Sequence, residues 1–315
     1  MVNACLSKAH PSNRIMRNVL GVLSILLENA AARRILHADR DDTTRDEKRE
    51  LIGELSAFFM VCTAIFFESS ANTAAMCLLQ MVLNCIGNSV LEPRPLKSVA
   101  TNRSLMSAVS AMTSSLIRSA RQESAWGSGG PVVVEALSFF VNVLSDETAR
   151  DFVCDTSLTS SVGGTGSNGG GLVQDFIDLT TGVVGMKRDD HAGSSAASRA
   201  SIIISKLARF KDSVKARLVN AQNGAGMNNL QGLIERGLQA TTTKASTTSS
   251  LEKDDIGDET SRAAAVEASA LIDTIMRTLA VCTATNEHAE KAITLVSKGG
   301  GFDFIVKGLE YGARP

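Results

Sequence analysis

A glycine-rich stretch in the middle of the chain has the spacing of a dinucleotide-binding turn. Gly164, Gly166 and Gly169 form the pattern G-x-G-x-x-G, in which glycines allow the backbone to approach a pyrophosphate closely. Such a turn needs a strand before it and a βαβ unit around it, whereas residues 151–162 read as the end of a helix followed by a loop. Six glycines within residues 163–171 also make a chance match easy. We therefore expect no nucleotide cofactor.

Other residues that could carry out chemistry are dispersed along the chain. The carboxylate pairs Asp41–Asp42, Asp189–Asp190 and Asp254–Asp255 lie in polar stretches, where no apolar pocket would shift a pKa for acid–base work. Cys282 and His288 are interpreted as a packing residue and a turn residue. The chain contains no G-x-S-x-G motif, no C-x-x-C motif and no histidine pair at i,i+4. The sequence thus predicts no catalytic residue and no metal site.

The composition favours a helical protein in a reducing compartment. Among 315 residues there are 32 basic and 33 acidic side chains, six cysteines and only 4% aromatic residues. This charge balance lacks the basic surface that nucleic-acid binders carry. The most apolar run, residues 55–67, is shorter than the ~20 residues that span a membrane. We expect neither nucleic acid nor a membrane as a partner. The expected location is the cytoplasm, and the alternative is the nucleus. For the apolar runs, the alternative is a helical hairpin in a membrane.

Helical periodicity dominates the pattern of apolar residues. The segments 15–36, 132–153, 201–219 and 271–293 place apolar residues three and four positions apart, which is typical of amphipathic helices. No segment shows the sustained alternation of a strand with hairpin turns. The sequence therefore predicts an all-α fold. Polar segments between the helices are predicted to be mobile insertions; they lie near residues 37–50, 121–131, 155–170, 187–198 and 240–260.

Four helices share a characteristic ending. An apolar helix is followed by a polar turn and then by a short amphipathic segment with a basic residue two positions before an apolar one. These basic residues are Arg33, Arg150, Arg217 and Lys291. Glycine clusters follow the last three of these endings, at Gly170–Gly171, Gly224–Gly226 and Gly299–Gly301. The combination indicates a repeated structural unit.

This order of features resembles the armadillo repeat family, in which a Gly-Gly pair leads from a short helical tail into the next unit. The resemblance covers about three quarters of the chain and is loose between Leu51 and Ser124, where the glycine junction is missing. It implies one right-handed α-solenoid of armadillo/HEAT-like repeats over residues 1–315, with about five to six units. One continuous core is then expected to contain Leu23, Leu26, Leu137, Phe140, Leu144, Ile204, Leu207, Ile275 and Leu279.

The resemblance also implies a function. Armadillo solenoids bind a protein or an extended peptide along a concave surface lined by the third helices, often through an asparagine. Asn142 occupies that place here, while Ile25, Lys206 and Thr278 occupy the corresponding places. We expect partner binding through Asn142, Lys206 and Arg277. The predicted function is a non-catalytic interaction scaffold or adaptor; the alternatives are a chaperone-like armadillo protein of the myosin-chaperone type and, third, an all-α enzyme.

The two ends of the predicted solenoid lead to a further expectation. The chain reads as starting within a third helix and stopping after a first helix, so the array is incomplete at both ends. Terminal units of solenoids normally carry polar caps. The residues expected near these open ends are instead apolar: Val19, Val22, Leu26, Phe304, Ile305 and Leu309. We expect the chain to be a segment of a longer solenoid or to associate end to end with another chain.

Overall fold

The computed structural model describes residues 11–38, 50–68, 73–123, 129–159, 171–182, 191–222, 226–251, 259–284 and 287–312. Within these ranges the protein consists of 15 helices without a strand, and Gln222 and Asn228 form an isolated antiparallel bridge. The all-α prediction is confirmed. The helices are α1 Pro11–Glu28, α2 Ala30–His37, α3 Leu51–Glu68, α4 Thr73–Ser89, α5 Pro93–Thr101, α6 Arg103–Glu123, α7 Gly130–Val143, α8 Glu147–Thr159, α9 Leu172–Thr181, α10 His191–Phe210, α11 Asp212–Asn220, α12 Asn229–Leu251, α13 Glu259–Thr283, α14 Ala289–Lys298 and α15 Gly301–Gly312.

Contacts divide the chain into two compact units. The first contains residues 1–119 and 126–152, and the second contains residues 120–125 and 153–315. The last turn of α6 belongs to the second unit, and the first turn of α8 belongs to the first. The single solenoid over residues 1–315 stays a prediction.

In the first unit, the helices α1, α4 and α7, which are three apart along the chain, pack side by side. α4 packs against α1 on one side and against α7 on the other, and α3 packs against α4 and α5. Because α4 lies between two helices, most of its residues are buried, including Leu78, Leu79, Val82 and Leu83. Helices α1, α4 and α7 therefore form one layer of this unit.

The second unit repeats this arrangement. α9 packs against α12, α12 against α15, α10 against α13 and α11 against α14. Two hydrogen bonds meet at Asp178 on α9: Arg121 Nη2, in the last turn of α6, donates to Asp178 Oδ2 at 2.6 Å, and Gln174 Nε2 donates to Asp178 Oδ1 at 2.8 Å. The Asp178 side chain is only 7% exposed, so these bonds satisfy a carboxylate that burial would otherwise penalise.

The short helices α2 and α8, which follow α1 and α7, begin with side-chain caps of the same kind. Asn29 accepts hydrogen bonds from the amides of Ala31 and Ala32, and Asp146 accepts hydrogen bonds from the amides of Thr148 and Ala149. Such caps satisfy amide groups that lack a partner in the first turn of a helix.

An arginine one turn after each cap binds the end of the preceding helix. Arg33 Nη1 donates to the carbonyls of Leu27 and Glu28 at 2.8 and 2.9 Å. Arg150 Nη1 donates at 3.0 and 2.9 Å to the carbonyls of Leu144 and Ser145. The repeated ending that the sequence indicates at these two arginines therefore corresponds to one repeated local structure.

The glycine clusters lie between short helices and the helices that follow them. Gly171 is the N-cap of α9, Gly226 precedes α12 with φ +80°, and Gly300 separates α14 from α15 with φ +75°. Positive φ favours glycine because a side chain would clash with the backbone. Gly170 and Gly224 lie outside the described residues. The sequence thus located these junctions correctly wherever the structure describes them.

Two of the segments predicted as insertions contain more helix than expected. Residues 191–198 form the beginning of α10, and residues 240–251 form the end of α12. In the first case Ala196 and Ala197 are buried, so the small residues that suggested a loop allow the helix to pack closely. Much of the remaining insertion sequence, including 39–49, 160–170 and 252–258, lies outside the described residues.

Burial is confirmed for seven of the nine residues predicted for the core, and their continuity in one core stays a prediction. The buried members are Leu137, Phe140, Leu144, Ile204, Leu207, Ile275 and Leu279. The prediction that Leu26 is buried is wrong, because its side chain is 43% exposed. Leu23 is half-buried. Both lie on α1, which packs against α4 through a different side that contains Leu20 and Leu27. The periodicity identified an apolar stripe on α1, but no described helix covers it.

Candidate protein-binding surface

Asn142, which the sequence singles out, makes a contact between two neighbouring helices of the first unit. It lies on α7 and is half-buried, and its Nδ2 donates to the carbonyl of Gly87 on α4 at 2.9 Å. Gly87 lies close to the backbone of Phe139, since a Cβ there would be 3.7 Å from its Cα. One amide hydrogen of Asn142 is therefore used within the protein, and the rest of the amide can bind another group.

Lys206 and Arg277 lie in the second unit, on the packed helices α10 and α13. Lys206 is half-buried. Arg277 has a side chain that is 70% exposed, and its Nε lies 2.9 Å from Asp273 Oδ2. Thr278, which the alignment of repeats placed in the groove, is instead buried and donates to the carbonyl of Thr274. Of these two residues of α13, solvent thus reaches Arg277 and not Thr278.

A row of polar side chains, which the sequence analysis did not select, crosses the three helices of the first layer. Ser24 Oγ on α1 donates to Asn84 Oδ1 on α4 at 2.6 Å. Asn84 Nδ2 donates to Glu135 Oε2 on α7 at 3.3 Å. Asn88, one turn further along α4, donates from Nδ2 to Asn84 Oδ1 at 3.1 Å. The row thereby connects α1, α4 and α7 at one surface.

The amides on α4 follow one side of the helix. Gln80, Asn84 and Asn88 are spaced four residues apart and are half-exposed, whereas the residues between them are mostly buried. Four-residue spacing was the signal that could have identified them. The glycine junction is missing after α4, so the series of repeated endings did not extend to this helix. Amides with both donors and acceptors suit the recognition of another polypeptide backbone.

The buried cysteines are packing residues. Burial raises the pKa of the Cys62, Cys85 and Cys282 thiols to about 12, because the charged thiolate is poorly solvated inside the protein. The thiols consequently stay protonated at neutral pH, and the thiolate is the nucleophilic form. Among the described residues, no group of three or more histidine, cysteine, aspartate or glutamate side chains could hold a metal ion.

An open depression of about 490 Å³ lies beside α5. It is lined by Glu50, Pro93, Arg94, Lys97, Ser98 and Thr101. Arg94 and Glu50 form an ion pair of 2.5 Å across it, and about half of each side chain is exposed. Water screens such an exposed pair strongly, so the attraction between the two charges is weak.

One described helix, α3, is long and apolar enough to cross a membrane. Its 18 residues have a mean hydropathy of 1.7, and 44% of them are buried inside the protein. Length and composition alone make this helix a candidate, and core helices of soluble proteins have the same properties. The absence of a membrane partner stays a prediction.

Comparisons with protein-family models, with curated protein sequences and with solved structures gave no significant match. The glycines of the G-x-G-x-x-G pattern and the three carboxylate pairs lie outside the described residues. The polar row on α1, α4 and α7 lies within the described residues.

Proposed function

We propose that the protein is a non-catalytic interaction scaffold that binds an extended segment of another protein across α1, α4 and α7. The observation that carries this proposal is the polar row Ser24–Asn84–Glu135, with Asn88 beside it. An extended peptide presents an amide hydrogen and a carbonyl oxygen at each residue. Half-exposed asparagine amides can bind both of these groups, and the cross-helix bonds hold them in fixed positions before the peptide arrives.

The proposed architecture is an armadillo/HEAT-like right-handed α-solenoid. Its support is packing between helices that are three apart along the chain, described for each unit separately: α1 with α4 and α4 with α7 in the first unit, and α9 with α12, α12 with α15, α10 with α13 and α11 with α14 in the second. The arginines that bind the preceding helix and the glycine junctions add to this support. In a solenoid, equivalent helices of successive repeats line one continuous surface. Helices α1, α4 and α7 are equivalent in this sense, and so are α10 and α13.

The proposed compartment is the cytoplasm. Five cysteines of the described residues, Cys62, Cys77, Cys85, Cys154 and Cys282, are free thiols. Free thiols persist in reducing compartments, whereas oxidising compartments favour disulfides. A protein partner in that compartment, rather than a nucleic acid, agrees with the nearly balanced charge of the chain.

The peptide-binding proposal is tested with a library of displayed peptides. Peptides selected on the purified protein are measured for affinity against the Gln80→Arg/Asn88→Arg double variant, in which two long charged side chains cover the row. We expect at least a tenfold loss of affinity, which corresponds to about 1.4 kcal/mol. The control is Ser98→Arg, which adds one such side chain at an exposed position of α5 in the same unit.

Two outcomes would contradict the proposal. Either the library yields no peptide that binds, or the double variant binds the selected peptides as tightly as the control does. Circular dichroism of both variants shows whether the helices are intact, since solvent reaches all three substituted positions.

A further inference from the structure

The short helices α2 and α8 have the same local structure but differ in how they are held to the protein. Each begins with a side-chain cap and carries an arginine that binds the end of the preceding helix. When these arginines are aligned, Leu36 and His37 of α2 correspond to Val153 and Cys154 of α8. Val153 and Cys154 are buried, whereas Leu36 is exposed and α2 contains no buried residue. Apolar burial therefore holds α8 but contributes little to α2.

Polar contacts of one arginine hold α2 instead. Arg33 Nε lies 3.4 Å from Glu92 Oε1 at the start of α5, and the two side chains are only 12% and 18% exposed. The same guanidinium donates to the carbonyls of Leu27 and Glu28 at the end of α1. Water and salt screen a shielded pair of this kind less than they screen a pair on the surface. Arg33 therefore connects α2 both to α1 and to α5.

His37 lies in the same cluster of charged side chains, one helical turn after Arg33. Its Nε2 atom is buried and has no hydrogen-bond partner among the described residues. The charged groups that act on its ring are Arg33 on α2 itself, Glu92 and Arg94 at the start of α5, and Glu50, which precedes α3. Each carboxylate already faces an arginine, since Arg33 pairs with Glu92 and Arg94 pairs with Glu50. A proton on Nε2 would therefore need an acceptor that is already in use.

The neutral form of His37 is the one that suits the folded protein. Burial lowers the pKa of His37 from its ordinary value of 6.5, while the two carboxylates oppose this shift and the two guanidiniums add to it. Below pH 6.5 the unfolded chain consequently binds a proton that the folded chain resists. The free energy of unfolding therefore falls as the pH falls through this range.

We propose that His37 makes the attachment of α2 dependent on pH, so that α2 is bound to α1 and α5 at neutral pH and is released when the imidazole is protonated. Protonation places a second positive charge four residues after Arg33, and like charges at this spacing destabilise a helix. It also creates a buried donor that competes with Arg33 for Glu92. Because α2 contains no buried residue, its release leaves the packing of the long helices intact. This inference does not depend on peptide binding.

Hydrogen exchange of the whole chain, followed by mass spectrometry between about pH 7.5 and about pH 5, tests the proposal in the range where histidine titrates. The measured quantity is the protection factor, which corrects for the intrinsic effect of pH on amide exchange. We expect the protection of the α2 amides to be lost as the pH falls. α8 is the internal control, because Cys154 replaces His37 there, and its protection should not change.

Three variants separate the contributions to the attachment of α2. In His37→Gln the protection of α2 should no longer depend on pH, because glutamine does not titrate. Arg33→Met should remove the protection at both pH values. Arg34→Met is the matched control and should behave like the unmodified chain, since Arg34 is exposed on the same helix.

Three results would overturn the proposal. One is a protection of α2 that stays constant or rises at the lower pH; a rise would mean that the protonated ring binds Glu92 and holds the helix more tightly. The second is an equal loss of protection in His37→Gln, and the third is an equal loss in α8, which would indicate general unfolding. If α2 of His37→Gln is unprotected at every pH, proton NMR of the unmodified chain decides instead, with the His37 ring signal identified by its absence from the variant. A ring that titrates below pH 6.5 supports the proposal, and one that titrates at or above this value overturns it.

Discussion

Arg33 and Arg150 show how a single residue type fixes a turn between two helices. Each guanidinium reaches back from a short helix and binds two carbonyls at the end of the long helix before it. These carbonyls have no partner within their own helix, and a positive charge is favourable there because the C-terminal end of a helix is electronegative. Lys291, which the sequence placed in the same group, instead donates to Asn220 Oδ1 at 2.7 Å.

Replacing Arg150 with methionine should destabilise the first unit. The substitution keeps most of the apolar stem but removes the charged donor, and hydrogen bonds that involve a charged group contribute about 1.5–3 kcal/mol. Urea denaturation should show a lower midpoint with an unchanged slope. Arg34→Met is the matched control, because Arg34 is exposed on α2. An equal shift in both variants would mean that the bonds to Leu144 and Ser145 contribute nothing measurable.

The buried thiols should be protected from alkylation in the native protein. Cys62, Cys85 and Cys282 are buried and protonated at pH 8, because their pKa values are about 12. Cys77 is half-buried and should react with iodoacetamide before them. Mass spectrometry of peptides after a timed reaction measures the order, and the same reaction in urea is the control. Modification of the three buried thiols as fast as Cys77 would show that their helices open readily.

The raised pKa values of these thiols predict a loss of stability at alkaline pH. An unfolded cysteine loses its proton near pH 9.0, whereas these folded ones keep theirs to about pH 12. Between these values the unfolded state binds fewer protons, so the free energy of unfolding falls as the pH rises. Urea midpoints measured from pH 8 upward should therefore decline, and replacing Cys282 with alanine should make the decline shallower. An identical slope in that variant would exclude the contribution of Cys282.

At the scale of the helix, one glycine sets how closely α12 and α15 approach. A Cβ at Gly237 would lie 2.5 Å from Cε2 of the Phe304 ring, which is far shorter than any ordinary contact. Phe304 is completely buried, so its ring has little space into which it could move. The contact between these helices therefore depends on the absence of a side chain at this place in α12.

Alanine at Gly237 should destabilise the protein, although alanine is the better helix former. Overpacking of this kind costs about 1–3 kcal/mol. Gly53 on α3 is the matched control, because a Cβ there meets no atom within 4 Å. Gly53→Ala should stabilise by about 0.5–1 kcal/mol through propensity alone. Thermal unfolding followed by circular dichroism distinguishes the two effects. A stabilising Gly237→Ala would mean that α12 and α15 pack less closely than their contacts indicate.

At the scale of the whole molecule, a scaffold and a nucleotide enzyme differ in their response to small ligands. A ligand that binds the folded state raises the melting temperature, by an amount set by its concentration relative to its Kd. We expect neither NAD nor ATP to do so, because the described element that precedes residues 163–171 in the chain is the helix α8, whereas a dinucleotide site has a strand in that place. Differential scanning fluorimetry with each nucleotide in large excess is the measurement. A concentration-dependent rise would revive the dinucleotide site.

The sequence by itself determined the helical class and several local structures. Apolar residues at three- and four-residue spacing located the helices, since that spacing follows from 3.6 residues per turn. The glycines at 226 and 300 located junctions, because their left-handed backbone excludes most other residues. These features depend on a few neighbouring residues, and for this reason they can be predicted without knowledge of the rest of the chain.

Only the tertiary structure decided which side of each helix is covered. Periodicity groups Leu26 with Leu27, yet α4 packs on the side of Leu27 and leaves Leu26 exposed. Periodicity likewise could not show that Asn84 lies between Ser24 and Glu135, which are 60 and 51 residues away along the chain. The physical reason is that a helix repeat specifies directions around one axis, whereas burial and hydrogen bonding depend on which other helices lie in those directions.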